Sequence, residues 1–159
     1  MDDTMILKAA DFLQNESSLL CFMLGNIRNE MKNQAARTLS KYDITLRQCL
    51  VIAYLTRHAD EVVTQKTLET HMSLSNPTVT VLIQNMVRKG LITREKVPGD
   101  NRKNHLLLTE KASRLREAYS AELAAMQARF YDGITDEEKA ALMTIFQKME
   151  KNLGICSTM

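Results

Sequence analysis

Apolar residues in this chain repeat at helical spacing up to Gly90 and alternate immediately after it. That switch limits the fold more than any other feature. Before the glycine, Val79, Leu82, Ile83 and Met86 fall at i, i+3, i+4 and i+7, one face of a helix. Ser75-Asn76-Pro77 opens this helix, with cap residues ahead of a proline whose missing N–H is harmless in a first turn. Gly90 closes it at C′. A shorter helix, Gln65 to His71, precedes it with Thr64 as N-cap, and Met72-Ser73-Leu74 reads as the tight connector. Beyond Gly90, Leu91 to Val97 and Asn104 to Leu108 read as strands around the turn signal Pro98-Gly99-Asp100-Asn101. Two helices joined by a three-to-four-residue turn form a helix-turn-helix. The hairpin behind them makes it a winged helix, placed at residues 45–109.

The rest of the chain reads as helix, in keeping with two prolines and five glycines in 159 residues. Residues 5–39 carry Leu20, Met23, Leu24, Ile27 and Met31 at helical spacings. Thr45 is a plausible N-cap for a helix burying Leu46, Cys49, Leu50, Ile52, Ala53 and Leu55, and Val62-Val63 is a very short β-branched piece. Thr109 caps a long helix with Ala112, Leu115, Tyr119, Leu123, Met126 and Phe130 along one side. Gly133 breaks it, and Thr135-Asp136-Glu137-Glu138 is a capping box for a last helix presenting Leu142, Ile145, Phe146, Met149 and Leu153. The fold class expected is mainly α (α+β), one domain over residues 1–159. Helices at 5–40 and 110–153 are surplus to a winged helix, and their apolar faces call for a second subunit.

The net charge of +2 divides unevenly. Residues 64–105 hold seven Lys/Arg against three acids, a local +4 that leaves −2 elsewhere. A basic excess on this segment suits a phosphate-facing surface. The longest apolar run, Leu19 to Leu24, is too short to cross a bilayer, and the acidic Met1-Asp2-Asp3-Thr4 lacks the layout of a signal peptide. Cys21, Cys49 and Cys156 form no disulfide framework, so a reducing cytoplasm is expected. His58, His71 and His105 lack metal-ligand spacing, and neither a nucleotide loop, a nucleophile elbow nor a carboxylate pair appears. No metal, no cofactor, no membrane and no enzymatic activity are therefore expected.

Pro77-Thr78-Val79-Thr80 with Leu82-Ile83, Lys89-Gly90-Leu91-Ile92-Thr93-Arg94, Asp100-Asn101-Arg102 and Leu106-Leu107-Leu108-Thr109-Glu110-Lys111-Ala112 stand in the order of a known family. With Thr45 and Gln48, they make residues 17–153 resemble the multiple-antibiotic-resistance regulator (MarR) family. The resemblance implies a triangular homodimer with intertwined terminal helices, whose recognition helices enter successive major grooves of double-stranded DNA and whose wings reach minor grooves. It also implies a repressor acting at a pseudo-palindromic operator and released by a small apolar or phenolic ligand, or by cysteine oxidation.

Specific residues follow from the pattern and the resemblance together. Ser75, Asn76, Thr78, Thr80 and Val81 lie off the buried stripe on the first turns of the recognition helix, where short polar groups reach base edges or phosphates and Val81 could pack on a thymine methyl. Ser75 or Asn76 could instead be only a cap. The family often places a basic residue at position 81, a contact that valine removes. Arg102 and Lys103 mark the wing tip, Arg102 for the minor groove with Asp100 orienting it. A surface ion pair is the plainer alternative. Thr64 and Gln65 at a helix start are candidates for phosphate contacts. Cys21 is the candidate redox sensor, because Leu20-Cys21-Phe22-Met23-Leu24 resembles the sensing segment of the family's hydroperoxide regulators. Gly25, Ala35 and Leu46 replace the tyrosines expected around it, which favours a small buried hydrophobe. A winged-helix module for protein interaction, without specific DNA binding, is the alternative from another functional class.

Overall fold

Four helices of the computed structural model begin at a side chain that accepts a backbone N–H, and three of those starts, at Thr64, Thr109 and Thr135, are also legible in the sequence. The caps are Asn15, Thr64, Thr109 and Thr135. The structure describes residues 15–97 and 99–154, with the backbone alone for Asn101 and Arg102. The chain divides at Leu46/Arg47 into two units.

The first unit contains α1 (Glu16–Ser40), capped by Asn15. The helix expected over 5–39 is thus described from residue 16, and residues 5–14 lie outside the described part. Ala35 and Leu39 are buried, and the Ile44 N–H bonds back to the Leu39 carbonyl at 3.3 Å across a turn in which Asp43 has φ +53°. Towards its start α1 exposes Leu19, Leu20, Phe22, Met23 and Ile27.

The second unit runs through α2 (Leu46–Arg57, whose first residue belongs to the first unit), α3 (Gln65–Met72), α4 (Asn76–Arg88), β1 (Ile92–Val97), β2 (Asp100–Leu108), α5 (Glu110–Phe130) and α6 (Asp136–Asn152). Its core is built from Val51, Ile52 and Leu55 of α2, Leu68 of α3, Leu91 and Ile92 after the glycine, and the Val79, Leu82, Ile83 and Met86 stripe of α4. Removing such side chains from water at about 25 cal/mol per Å² supplies most of the drive for packing the helix pair. Gly90 has φ +67°, the Leu91 N–H reaches the Met86 carbonyl at 2.9 Å, and the Gly90 N–H reaches that of Val87 at 2.9 Å. These paired bonds end α4 and turn the chain straight into β1.

The strands are antiparallel, in register from Ile92↔Leu108 to Lys96↔Asn104. Val97↔Asp100 is also paired, so the register shifts and residues 101–103 are surplus on β2. The second strand therefore starts at Asp100 rather than Asn104, and Asp100, Arg102 and Lys103 lie on a bulged strand rather than in a long turn. Val62-Val63 forms no ladder, but the Val63 carbonyl accepts the Leu106 N–H at 2.8 Å and anchors the hairpin.

Candidate nucleic-acid interface

Helices α3 and α4 are joined by three residues, Ser73 to Ser75, with Ser73 in the left-handed region at φ +50°. The apolar stripe of α4 faces inward and leaves Ser75, Asn76, Val81 and Gln84 exposed, with Thr78 and Thr80 half-buried. Val81 is 56% exposed, an apolar side chain on an otherwise polar face.

Ser75 occupies the N-cap of α4 but makes no side-chain cap bond; its hydroxyl lies 2.9 Å from that of Thr78. Asn76 donates through Nδ2 to Glu69 Oε1. Gln65 Nε2 donates to the same oxygen at 3.2 Å and to Thr80 Oγ1 at 2.7 Å. Lys66 Nζ closes on Glu69 Oε2 at 3.2 Å. One carboxylate on α3 thus gathers three of its neighbours, including two residues expected to contact DNA. Glu69 is 9% exposed. Its burial works against the charge, but bonds from Asn76, Gln65 and Lys66, with the lysine's charge, outweigh it and hold the carboxyl below its ordinary value. In the sequence Glu69 stands out only as one of three acids in a basic segment. The spacing Gln65-Lys66-x-x-Glu69, which sets Gln65 four and Lys66 three residues before Glu69 on one helix face, is the available signal.

Thr64 caps α3 in a reciprocal box with Thr67: its backbone N–H donates to Thr67 Oγ1 at 3.2 Å and its own Oγ1 accepts the Thr67 N–H at 3.3 Å. On the hairpin, Lys103 Nζ pairs with Asp100 at 3.1 Å, so the carboxylate expected to orient Arg102 has the next residue as a partner. Thr93, Arg94, Glu95 and Lys96 of β1 are exposed.

The cysteines separate by environment. Cys21 is exposed on α1 in the single chain, where Leu20, Phe22 and Met23 beside it are also uncovered. Cys49 is buried in α2. Burial pushes its thiol up from the ordinary value, opposed in part by a hydrogen bond from the Tyr119 hydroxyl, and burial raises Tyr119 itself. Cys156 lies outside the described residues. Among the described residues no three His, Cys, Asp or Glu side chains are grouped to hold a metal ion.

A two-helix unit with a polar outer face, continued by a basic hairpin and flanked by long helices, defines the winged helix-turn-helix class of regulator. The MarR family model matches residues 42–103. An organic hydroperoxide resistance transcriptional regulator of Bacillus subtilis (strain 168) is 35% identical over 98 residues, 62% of this chain and 65% of that protein. The match therefore spans just under two thirds of that relative's length. Two solved structures agree over nearly their whole length. The transcription regulator MarR from Oenococcus oeni PSU-1 is 32% identical with TM-score 0.68, covering 83% of this chain and 98% of that one. A MepR–DNA complex of S. aureus is 29% identical with TM-score 0.76, covering 83% and 96%. The chain belongs to the MarR family of transcriptional regulators.

Proposed function

We propose that this chain is a cytoplasmic, homodimeric, sequence-specific DNA-binding repressor, with binding as its only chemistry. The observation that carries the reading is the outer face of α4, polar and free of the buried stripe, set beside a basic hairpin. The likeness to a MepR structure that holds DNA supports it. In this reading Ser75, Asn76, Thr78, Thr80 and Val81 meet the major groove, Thr64 and Gln65 lie near phosphates, and Arg102 with Lys103 and Asp100 serves the wing. Gln65 would act through its backbone N–H, since both its amide hydrogens are already donated. The partner is a pseudo-palindromic duplex with half-sites about one helical turn apart.

Pairing of two chains is favoured by apolar residues that one chain leaves in water: Leu20 at 55% exposure in α1, and Met143, Ile145, Phe146 and Met149 in α6. No helix among the described residues is long and apolar enough to cross a membrane. Release by a small apolar or phenolic effector needs a pocket. A cleft lined by Leu55, His58, His105, Leu107 and Arg116 holds about 250 Å³, below the range typical of such ligands, so an effector bound there would have to enlarge it. Oxidation at Cys21 is the other route of release.

Selection of bound duplexes from a random pool, at low salt and with and without peroxide, tests the reading. Enrichment of a pseudo-palindrome is expected. Enrichment of no duplex would overturn it and favour a winged-helix protein-interaction module.

A further inference from the structure

A carboxylate only accepts hydrogen bonds, and that fact orients the amides around Glu69. An amide whose oxygen faced Glu69 would set two acceptors against each other, so Asn76 and Gln65 must both turn nitrogen inward. Gln65 has two amide hydrogens, and both are committed, one to Glu69 and one to Thr80. Asn76 commits one to Glu69. Three of the four amide hydrogens on these side chains are thus donated inside the protein. Neither amide oxygen takes part in these bonds, all of which run from nitrogen. Asn76 is exposed at the first turn of α4, so it can offer outward its Oδ1, an acceptor, beside the one amide hydrogen left to it.

We propose that Glu69 is a positioning residue that sets base preference. By holding the nitrogens of Asn76 and Gln65 inward, it makes the start of the recognition helix an acceptor surface that selects base pairs presenting an exocyclic amino group. In the major groove those donors are adenine N6 and cytosine N4, whereas guanine O6 and thymine O4 are acceptors. Adenine or cytosine is favoured opposite Asn76 Oδ1, and guanine or thymine is disfavoured because acceptor would face acceptor. Thr80 complements this arrangement: its Oγ1 accepts from Gln65, which leaves its own hydrogen to donate. The inference rests on the DNA-binding reading above and adds which edge of the base is read.

The test uses the full-length protein and its selected duplex. Adenines and cytosines of the half-site are replaced singly by analogues lacking the exocyclic amino group, purine for adenine and 2-pyrimidinone for cytosine. Loss of the amino group should weaken binding roughly tenfold at one position per half-site, and Asn76→Ala should erase that sensitivity. Glu69→Gln, whose amide can donate or accept, should let Asn76 turn, so that guanine or thymine is tolerated at the same position. The proposal is overturned if no amino deletion matters while Asn76→Ala still weakens binding, or if Glu69→Gln keeps the wild-type preference. Should Glu69→Gln fail to fold, the analogue series on the unmodified protein decides alone. A wild-type protein that binds no duplex removes the functional reading itself, a result separable from either.

Discussion

The Thr109 hydroxyl donates to the Gly90 carbonyl oxygen at 2.7 Å across nineteen positions of sequence, and the Thr109 N–H bonds the Leu91 carbonyl at 3.1 Å. The same hydroxyl accepts the Ala112 N–H at 3.2 Å and so caps α5. Lys111 Nζ adds a bond to the Lys89 carbonyl at 2.7 Å. One residue thereby ties the end of α4 to the start of α5, with the hairpin between them, and holds the hairpin base against the helix that precedes it.

Thr109→Val keeps the shape but removes the cap and the donor to Gly90. A loss of about 1–2 kcal/mol is expected, which for a chain of this size lowers the melting temperature by roughly 2–4 °C per kcal/mol. Urea unfolding with an unchanged midpoint would refute the role given to this threonine.

Glu69 makes stability depend on pH. Its folded pKa is depressed below the ordinary carboxyl value, so its contribution is complete above the unfolded value and fades as pH falls through the folded one. The melting-temperature gap between wild type and Glu69→Gln should be wide at about pH 7 and should close towards about pH 3. A gap that ignores pH would show that the carboxylate is not ionised within the network.

The wing should act mainly by charge. Arg102→Ala is expected to weaken binding to all duplexes and to lower the salt slope by roughly 1 per contact, or about 2 per dimer. Thr78→Ala should instead cost about 1–3 kcal/mol at particular base pairs with little change of slope. Titrations at several salt concentrations separate the two, and an Arg102→Ala protein with unaltered affinity and slope would remove the hairpin from the DNA contact.

Thiol chemistry should follow exposure. Iodoacetamide should label Cys21, exposed in the single chain, before Cys49, which is buried within that chain with its thiol pKa raised and should react only on unfolding. If Cys21 is the sensor, peroxide abolishes DNA binding in the native chain but not in Cys21→Ser. Equal responses from both leave small-molecule control as the mechanism.

What was legible in the sequence was whatever depends on near neighbours. The Thr64, Thr109 and Thr135 caps, the stripe ending at Met86 and the Gly90 terminus each follow from residues within a few positions. The Glu69 hub was not legible, because Asn76 and Thr80 reach it or its ligand only through the crossing of two helices. The β2 start was misplaced because Asp100 and Asn101 are turn formers in isolation, while pairing with Val97 draws Asp100 into the ladder. The exposure of Cys21 in one chain is not legible either, because the residues that replace the expected tyrosines, Gly25, Ala35 and Leu46, say nothing about what covers a thiol.

The uncovered apolar faces of α1 and α6 carry a consequence for dosage. Where single chains predominate, the paired form rises with the square of chain concentration, so halving synthesis cuts it about fourfold. For the dimeric repressor proposed above, control at the target would then collapse over a narrow range of expression, and a modest fall in translation would release the regulated gene without any effector.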